Sequence, residues 1–317
     1  MIKKQLKDYI FLKEVCKMRI VSFGNLYLDY YIKNGELEGV SGGKTNANIL
    51  ANLSNRYECF FIGSCGTDTI GDIIIKDLND LGIKNKIKRV DKQSKAYFID
   101  NNSYSTECPF CNREVGYHGE ILTEDEVIPE ILESDYLVID NFHVLTTKVL
   151  KSTTNKAFLD IGYDYDIRYR SLDELTDIIA NRFEIINMNN KVFRTFKNKF
   201  MLDELDIYEL FKPKLLIITK GKKGCTIVLN GEVIEKEIEN PEKEVDVSGA
   251  GDAFFSEFIA AYLENEELDE KLISKTYIKA NLKSRLVVRN RGARTHLKPL
   301  YKIKNYKNCV CEYLIVD

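Results

Sequence analysis

The chain has no long uninterrupted apolar run and no excess of charge of one sign. None of its hydrophobic segments approaches the roughly 20 residues that a membrane-spanning helix needs. Its N-terminal segment also lacks the unbroken apolar core of a signal peptide. Its 46 basic and 49 acidic residues give a formal charge of −3, which indicates no general attraction to nucleic acid or to membranes. We therefore expect a cytoplasmic protein.

The composition is that of an ordinary globular protein, with 317 residues of which 44% are hydrophobic and 30% are charged. Short apolar runs typical of buried strands alternate with helical patterns. The strand-like runs include 136–139, 157–161, 183–187, 215–219 and 225–229. This alternation predicts a mostly parallel sheet with helices on both faces. Between about residues 86 and 119 the pattern changes to short alternating pieces, which predict a small sheet outside the core.

A glycine turn opens an apolar helix near residue 250. Gly249, Ala250 and Gly251 are followed at once by Asp252, and apolar residues then recur at helical spacing as far as Leu263. The unpaired N–H groups and the helix dipole at such a helix start favour a bound anion. Asp252 would repel a bound phosphate, and it is useful there if it takes a proton from the attacking hydroxyl. The alternative is that the acid caps the helix and has no catalytic role.

Residues 246–252, Asp-Val-Ser-Gly-Ala-Gly-Asp, resemble the DTxGAGD signature of the PfkB, or ribokinase-like, sugar kinases, with Val247 where Thr is usual. The segment 66–72 and the helix after it resemble the first half of the same family. The resemblance implies an α/β fold, with a ribokinase-like three-layer α/β/α core and a small β-sheet lid. It implies one kinase domain over residues 1–317, in which about 30–41 and 86–119 form the lid. Residues 1–17 would be an N-terminal extension.

The same resemblance assigns roles to the residues of the turn. In the family the turn amides, here those of Gly249, Ala250 and Gly251, form an anion hole for the transferred phosphoryl group. The last acid, here Asp252, is the general base on the sugar hydroxyl. The resemblance therefore implies an ATP-dependent phosphotransferase that acts on a hydroxyl of a sugar or sugar-like substrate. The sequence leaves the acceptor open among sugars, phosphosugars and nucleosides.

The acceptor is expected to contact residues from the first third of the chain. Asp29 follows the first predicted strand, and the carboxyl ends of strands are where open α/β sheets bind ligands. In the family an Asp at this point binds sugar hydroxyls. A solvated loop acid is the alternative interpretation of Asp29.

A glycine pair, Gly42 and Gly43, precedes the helix that follows. In the family such a pair and a later Asn line the sugar site. Asn48 is assigned that part, although it lies one residue later than usual and Asn46 is the alternative. The stretch 39–45 is not a P-loop, because three rather than four residues separate its first glycine from the Gly-Lys pair.

The nucleotide side is expected further along the chain. Residues 218–225, Ile-Thr-Lys-Gly-Lys-Lys-Gly-Cys, resemble the strand-Gly-x-x-Gly segment of the family. Asn281 resembles the Asn that lies near the adenine in the final helix. Thr219, Gly221, Gly224 and Asn281 are therefore the predicted nucleotide-binding residues. Lysines on a turn such as this one are more often solvated than in contact with a phosphate.

The expected cofactors are ATP and Mg²⁺, and a monovalent cation is a further candidate. Family members carry N-x-x-E after a core strand, and its Asn and Glu hold waters of the magnesium ion. Here Asn189 is in place, but Val192 stands where the Glu belongs and Gly162 replaces the Asn of a second motif, Asp-x-Asn. Asn189 is thus the predicted metal contact, made through water. The departures also fit a catalytically weak regulatory relative that binds sugar or nucleotide.

A C-x-x-C pair, Cys108 and Cys111, is not a feature that the resemblance explains. Such a pair suits a metal, a redox couple or two structural thiols. A zinc site would need two further ligands, and Cys309 with Cys311, or His118, are the candidates. We also expect that exposed edges of the lid sheet allow a homodimer. An unrelated α/β protein whose turn binds another phosphate is the remaining interpretation.

Overall fold

The computed structural model describes residues 18–100, 103–117, 121–239, 241–265, 267–304, 309 and 315–316. The expected N-terminal extension, residues 1–17, lies outside the described residues. Within them, no helix combines the length and the apolar character needed to cross a membrane.

The described chain alternates strands and helices almost from end to end. The strands are β1 (Arg19–Asn25), β2 (Tyr27–Lys33), β3 (Glu36–Gly42), β4 (Glu58–Gly66), β5 (Lys84–Val90), β6 (Lys95–Asp100), β7 (Ser103–Ser105), β8 (Tyr136–Ile139), β9 (Lys156–Ile161), β10 (Phe183–Asn189), β11 (Leu215–Thr219), β12 (Cys225–Leu229), β13 (Glu232–Lys236), β14 (Ile303–Lys304) and β15 (Ile315–Val316). The helices are α1 (Thr45–Leu53), α2 (Thr69–Asp80), α3 (Glu124–Leu132), α4 (Val144–Ser152), α5 (Tyr165–Tyr169), α6 (Leu172–Ile179), α7 (Asn190–Phe200), α8 (Glu204–Phe211), α9 (Ala250–Glu264) and α10 (Glu270–Val288).

Nine strands form one large sheet in the order β13-β12-β11-β10-β9-β8-β1-β4-β5. The strands from β11 to β5 run parallel, and β12 and β13 complete one edge as an antiparallel hairpin. Parallel neighbours need crossover connections, and the helices between them supply these connections. The predicted α/β fold with a mostly parallel sheet is confirmed.

Side chains alternate across the sheet and so build two separate cores. Along β1, Ile20 packs into one core and Val21 into the other, and along β9 Phe158 and Leu159 divide in the same way. The first core is covered by α1, α2, α9 and α10, and the second by α3, α4, α6, α7 and α8. Strands buried on both faces are continuously apolar, as the sequence of β11 shows. The result is three layers, with the sheet in the middle.

Four strands form a smaller sheet in the order β3-β2-β6-β7. The expected start of this sheet at residue 86 is wrong. Residues 84–90 form β5, which pairs in parallel with β4 at the edge of the large sheet. Alternation alone did not distinguish an edge strand of the core from a strand of the small sheet, because both expose one face. β6 and β7 are the strands that the region 86–119 contributes to the small sheet.

Candidate active site

The glycine turn before α9 is held by hydrogen bonds from two directions. Gly249 has φ +76°, and a Cβ there would lie 2.6 Å from the Cβ of Ala293, so both its conformation and its surroundings require glycine. The carboxylate of Asp246 accepts the N–H of Ser248 at 2.9 Å and that of Gly292 at 2.8 Å. The turn is therefore fixed against the loop that follows α10.

The amides of the turn are not all free. The N–H of Ala250 donates to the carbonyl of Val247 at 3.2 Å, a long bond with which a bound anion would compete. A Cβ at Gly251 would meet no atom within 4 Å, so this side of the turn is open. A ligand phosphate can approach the backbone from there.

Asp252 lies in the first turn of α9 and accepts the Nδ2 of Asn48 at 2.6 Å. Burial raises the pKa of Asp252 to about 7, while the Asn48 bond lowers it and the nearby charge of Asp140 raises it further. The alternative residue, Asn46, donates instead to the carbonyl of Phe23 at 3.0 Å. Of the two asparagines, Asn48 is the one that reaches the acid.

Behind Asn48 lies a buried arginine that the sequence analysis did not identify. Arg294 is 1% exposed, and its Nε donates to the Oδ1 of Asn48 at 2.7 Å. Its guanidinium also forms an ion pair with Asp77 and donates to the carbonyl of Gly43 at 3.0 Å. No pattern in the sequence marks Arg294, because arginines in loops are usually exposed.

The glycine pair is required by this buried charge network. A Cβ at Gly42 would lie 2.6 Å from both the Nη1 of Arg294 and the Oδ2 of Asp77. A Cβ at Gly43 would lie 2.6 Å from the Oδ1 of Asp29. The two glycines therefore let buried charged groups approach the backbone closely.

Asp29 lies beside this network and is 5% exposed. Its Oδ2 accepts the hydroxyl of Tyr31 at 3.4 Å, and its Oδ1 has no hydrogen-bond partner in the described structure. Burial raises the pKa of Asp29 to about 7, partly offset by the charge of Arg294. A buried carboxylate oxygen without a partner is costly, and a ligand hydroxyl could satisfy it.

A cavity of about 450 Å³ opens near the carboxyl ends of β1 and β8. Its lining includes Tyr27, Lys44, Tyr97, Asp140 and Tyr163. The Nζ of Lys44 lies 3.0 Å from the carboxylate of Asp140, so these two charges neutralise each other. Asp29, Gly42, Gly43 and Asn48 are not among the lining residues. They adjoin the lining through Tyr27 and Lys44.

A second cavity, of about 560 Å³, brings together all four predicted nucleotide-binding residues and two of the turn residues. Its lining includes Thr219, Gly221, Gly224, Asn281, Ala250 and Gly251. Gly224 has φ +97°, and a Cβ there would lie 1.8 Å from the carbonyl oxygen of Lys236. The backbone of this turn thus passes directly against β13, which only glycine permits.

The predicted metal contact, Asn189, also lines the second cavity, but its side chain is engaged in the fold. Its Oδ1 accepts the N–H groups of Lys191 and Val192, each at 3.0 Å, and so caps α7. Its Nδ2 donates to the carbonyl of Gly162 at 2.7 Å. Val192 is completely buried in the second core and contributes no polar atom here.

Two other oxygen-bearing side chains suit a hard cation better. Asp160 accepts the Nδ2 of Asn187 at 2.7 Å, and the Oδ1 of Asn187 has no partner in the described structure. Burial raises the pKa of Asp160 well above its usual value, and the charge of Asp252 adds to this effect. Magnesium takes few direct carboxylates and keeps several waters. Asp160 and Asn187 are therefore candidate oxygen ligands for a magnesium ion, and neither lines the two described cavities.

The smaller sheet touches the glycine turn directly. The hydroxyls of Tyr104, in β7, and Ser248, in the turn, lie 2.5 Å apart. This contact links the small sheet to the start of α9. β7 is three residues long and forms one outer edge of that sheet.

The chain is similar to known proteins over most of its length. An ATP-dependent 6-phosphofructokinase of Thermoanaerobacterium thermosaccharolyticum is 26% identical over 244 residues, which cover 73% of this chain and 75% of that protein. An uncharacterized sugar kinase of Pyrococcus horikoshii, solved in complex with ATP, superposes with a TM-score of 0.67. It is 21% identical and the match covers 86% of this chain and 93% of that chain.

The ribokinase of Thermotoga maritima superposes with a TM-score of 0.64 at 19% identity, over 88% of this chain and 95% of that chain. At such identities the structural matches bear on the fold alone, which they share. A family model described as pfkB family carbohydrate kinase matches residues 19–299. The chain therefore belongs to the pfkB family of carbohydrate kinases.

Proposed function

We propose that this carbohydrate kinase transfers the γ-phosphoryl group of ATP to a hydroxyl of an uncharged sugar or sugar-like polyol, with Asp252 as the general base. The observation that carries the proposal is the environment of Asp252. Its carboxylate follows the glycine turn directly, is half-buried, and has a pKa raised to about 7 by desolvation. A general base is most effective when its pKa lies near the working pH.

In the proposed step, Asp252 accepts the proton of the acceptor hydroxyl while the hydroxyl oxygen forms a bond to the γ-phosphorus. The bond between that phosphorus and the bridging oxygen breaks, and ADP leaves with the electron pair. The amides of Gly249, Ala250 and Gly251 stabilise the charge on the transferring group. The N–H of Ala250 would exchange its bond to Val247 for one to the phosphoryl oxygen.

The second cavity is the proposed ATP site, with Thr219, Gly221, Gly224 and Asn281 as nucleotide contacts. When bound, Mg²⁺ would neutralise charge on the phosphate oxygens. Asp160 and Asn187 are the residues that would hold it, because their oxygens are buried and Asn187 Oδ1 lacks a partner in the described part of the chain. Asn189 and the monovalent cation remain predictions from the sequence.

The acceptor is proposed to bind beside Asp29, with Gly42, Gly43 and Asn48 shaping the site. The free Oδ1 of Asp29 is suited to a ligand hydroxyl. A phosphosugar would call for a cluster of cations. Lys44 and Lys95 are the lysines of the described 450 Å³ cavity, and Lys44 is paired with Asp140. The charge therefore favours an acceptor without a phosphate.

Arg294 is proposed as a positioning residue. It holds the Oδ1 of Asn48, which directs the Nδ2 of Asn48 to Asp252. This chain of bonds fixes the orientation of the base without a direct contact between Arg294 and the reacting atoms. It also keeps the asparagine amide in one of its two possible orientations.

The test is ADP release from Mg-ATP across a panel of sugars, phosphosugars and nucleosides, with Asp252→Asn beside the wild type. We expect one uncharged acceptor to give strong turnover, and Asp252→Asn to lower kcat by about 10²- to 10⁴-fold. Asp173→Asn, which changes an exposed acid in the first turn of α6, is the matched control and should leave kcat unchanged. Near-normal turnover by Asp252→Asn would contradict the assignment of the base.

The second candidate function is a regulatory relative that binds ATP and a sugar but turns over slowly. Val192 favours it, because the family's glutamate is replaced by a buried apolar residue. Thermal shifts with ATP and a sugar, together with silence across the panel, would support this alternative. In that case the binding sites proposed above would stand, and only the proposed phosphoryl transfer would be withdrawn.

A further inference from the structure

A cluster of three thiols lies apart from the residues proposed for phosphoryl transfer. The sulfurs of Cys111 and Cys309 are 3.0 Å apart, and those of Cys108 and Cys309 are 3.6 Å apart. All three sulfurs lie within 4.8 Å of one another. Within the described part of the chain, this is the one group of three potential metal ligands that meets that distance.

The two cysteines of the C-x-x-C pair lie on a tight turn whose backbone is closed by hydrogen bonds. The N–H of Cys108 donates to the carbonyl of Arg113, and the N–H of Asn112 donates to the carbonyl of Cys108, both at 2.8 Å. Asn112 has φ +55°, a left-handed conformation that Asn tolerates better than most residues. This geometry turns the chain sharply after Cys111 and puts both sulfurs on the same side.

Backbone donors face one of the sulfurs. The N–H groups of Phe110 and Cys111 both donate to the sulfur of Cys108. Burial raises the pKa of the Cys108 thiol to about 11, and these N–H groups offset that rise in part. They also fix the sulfur in position, as the partners around metal ligands generally do.

The third thiol comes from the far end of the chain. Cys309 is 198 residues from Cys111 in sequence, yet its sulfur meets both sulfurs of the turn. One disulfide would use two of the three thiols and leave the third without a role. A metal ion uses all of them.

We propose that Cys108, Cys111 and Cys309 bind one zinc ion as thiolates. Zinc binds thiolate at about 2.3 Å, which in a tetrahedron places sulfurs roughly 3.8 Å apart, close to the separation of Cys108 and Cys309. A set of sulfur ligands selects a soft or borderline ion over magnesium or calcium. Each thiol releases its proton to solvent on binding. The other nominated ligands, Cys311 and His118, lie outside the described residues, so the proposal rests on the three thiols.

The proposed zinc ion would join the C-terminal segment to the turn that follows the small sheet. Cys108 is completely buried in the first core, and Cys111 and Cys309 pack against that core. Unlike a disulfide, such a crosslink stabilises only the folded chain, because folding brings the three thiols together. The proposal does not depend on the phosphotransfer chemistry or on Asp252.

The test measures the metal content of the full-length chain. The protein is purified under reducing conditions, loaded with zinc and desalted, and its zinc is then measured by inductively coupled plasma mass spectrometry. We expect one zinc ion per chain in the wild type and at least a tenfold loss of zinc affinity in Cys108→Ala, Cys111→Ala and Cys309→Ala. Cys225→Ala is the matched control, because this thiol is as buried as that of Cys108 but stands alone in β12. It should keep the zinc ion.

A cobalt titration of the wild type keeps the proposal testable if the variants fail to fold. Thiolate-to-cobalt charge-transfer bands are expected to saturate at one equivalent and to disappear when zinc is added. The proposal is overturned if the wild type retains no zinc and gives no such bands. It is also overturned if Cys309→Ala binds zinc as tightly as the wild type, or if the reduced protein already contains a disulfide between two of these cysteines.

Discussion

The nucleotide side and the acceptor side of the proposed site are built from different kinds of structure. The nucleotide side is shaped by backbone turns, such as the one at Gly221 and Gly224, and all four of its predicted residues line one cavity. The acceptor side depends on buried charges, in which Asp29, Asp77 and Arg294 lie close to the glycine pair. Turns require particular residue types at fixed spacing, whereas a buried ion pair can be formed by residues from anywhere in the chain. The comparison explains why the sequence could nominate the glycine segments of both sides but not the buried pair of Arg294 and Asp77.

Breaking the charge network should have the largest effect. Arg294→Met leaves Asp77 as a buried charge without its main partner, and we expect a loss of about 3–5 kcal/mol in the free energy of unfolding. Urea denaturation measures this loss. The variant should also lower kcat while leaving the KM for ATP unchanged, because Arg294 orients Asn48 and does not line the nucleotide cavity.

The double variant Arg294→Met with Asp77→Asn separates the two roles of Arg294. Neutralising Asp77 removes the unpaired buried charge, so part of the lost stability should return. The kcat should stay low, because Asn48 still lacks the Nε of Arg294 as its donor. Recovery of kcat together with stability would show that Arg294 acts on the fold alone.

On the nucleotide side, Gly224→Ala should be the most damaging small change. The new Cβ would lie 1.8 Å from the carbonyl oxygen of Lys236, and φ is +97°. We expect a higher KM for ATP and a loss of about 1–3 kcal/mol in stability from backbone strain. Gly221→Ala is the control, because its φ is +58° but its surroundings are open, so it should cost about 1–2 kcal/mol at most. Equal effects of the two changes on KM would contradict this account.

The pH dependence of the acceptor side should show opposite trends for activity and stability. Because the pKa of Asp252 is raised to about 7, kcat/KM should rise as the pH increases through about 7. In the unfolded chain Asp29 and Asp252 release their protons near pH 4, whereas in the folded chain they keep them up to about pH 7. The contribution of these two groups to the free energy of unfolding therefore falls as the pH rises from about 4 to above 7. Denaturation of Asp29→Asn and Asp252→Asn at pH 5 and pH 8 should show a smaller decrease than the wild type. An unchanged decrease in both variants would refute the raised pKa values.

The smallest effect is expected where the small sheet meets the glycine turn. Tyr104→Phe removes one hydrogen bond to Ser248, with an expected cost of about 0.5–1.5 kcal/mol. Since Tyr104 is half exposed, water replaces the lost partner in part. We expect a modest rise in the KM for the acceptor, measured by steady-state kinetics. A change in kcat as large as that of Asp252→Asn would mean that the contact does more than hold the small sheet.

The fold could be predicted because local rules determine its strands and helices. The bounds predicted for β8, β11 and β12 agree with those observed, since buried strands are continuous apolar runs. Residues 86–90, which belong to β5, were assigned to the wrong sheet, because their charged, alternating residues are the same in either setting. Arg294 and the meeting of Cys309 with the C-x-x-C turn depend on how distant parts of the chain come together, which no local pattern records.

The pairing of β3 with the C-terminal segment bears on self-association. Val40, in β3, exchanges both backbone hydrogen bonds with Tyr301, at 3.0 and 2.9 Å. The outer side of β3 is therefore already occupied at this point by the chain's own backbone. A second subunit that extended the small sheet edge to edge would have to displace this contact or add beside β7. The homodimer stays a prediction from the sequence, and for an edge-to-edge arrangement this contact favours the β7 edge over that of β3.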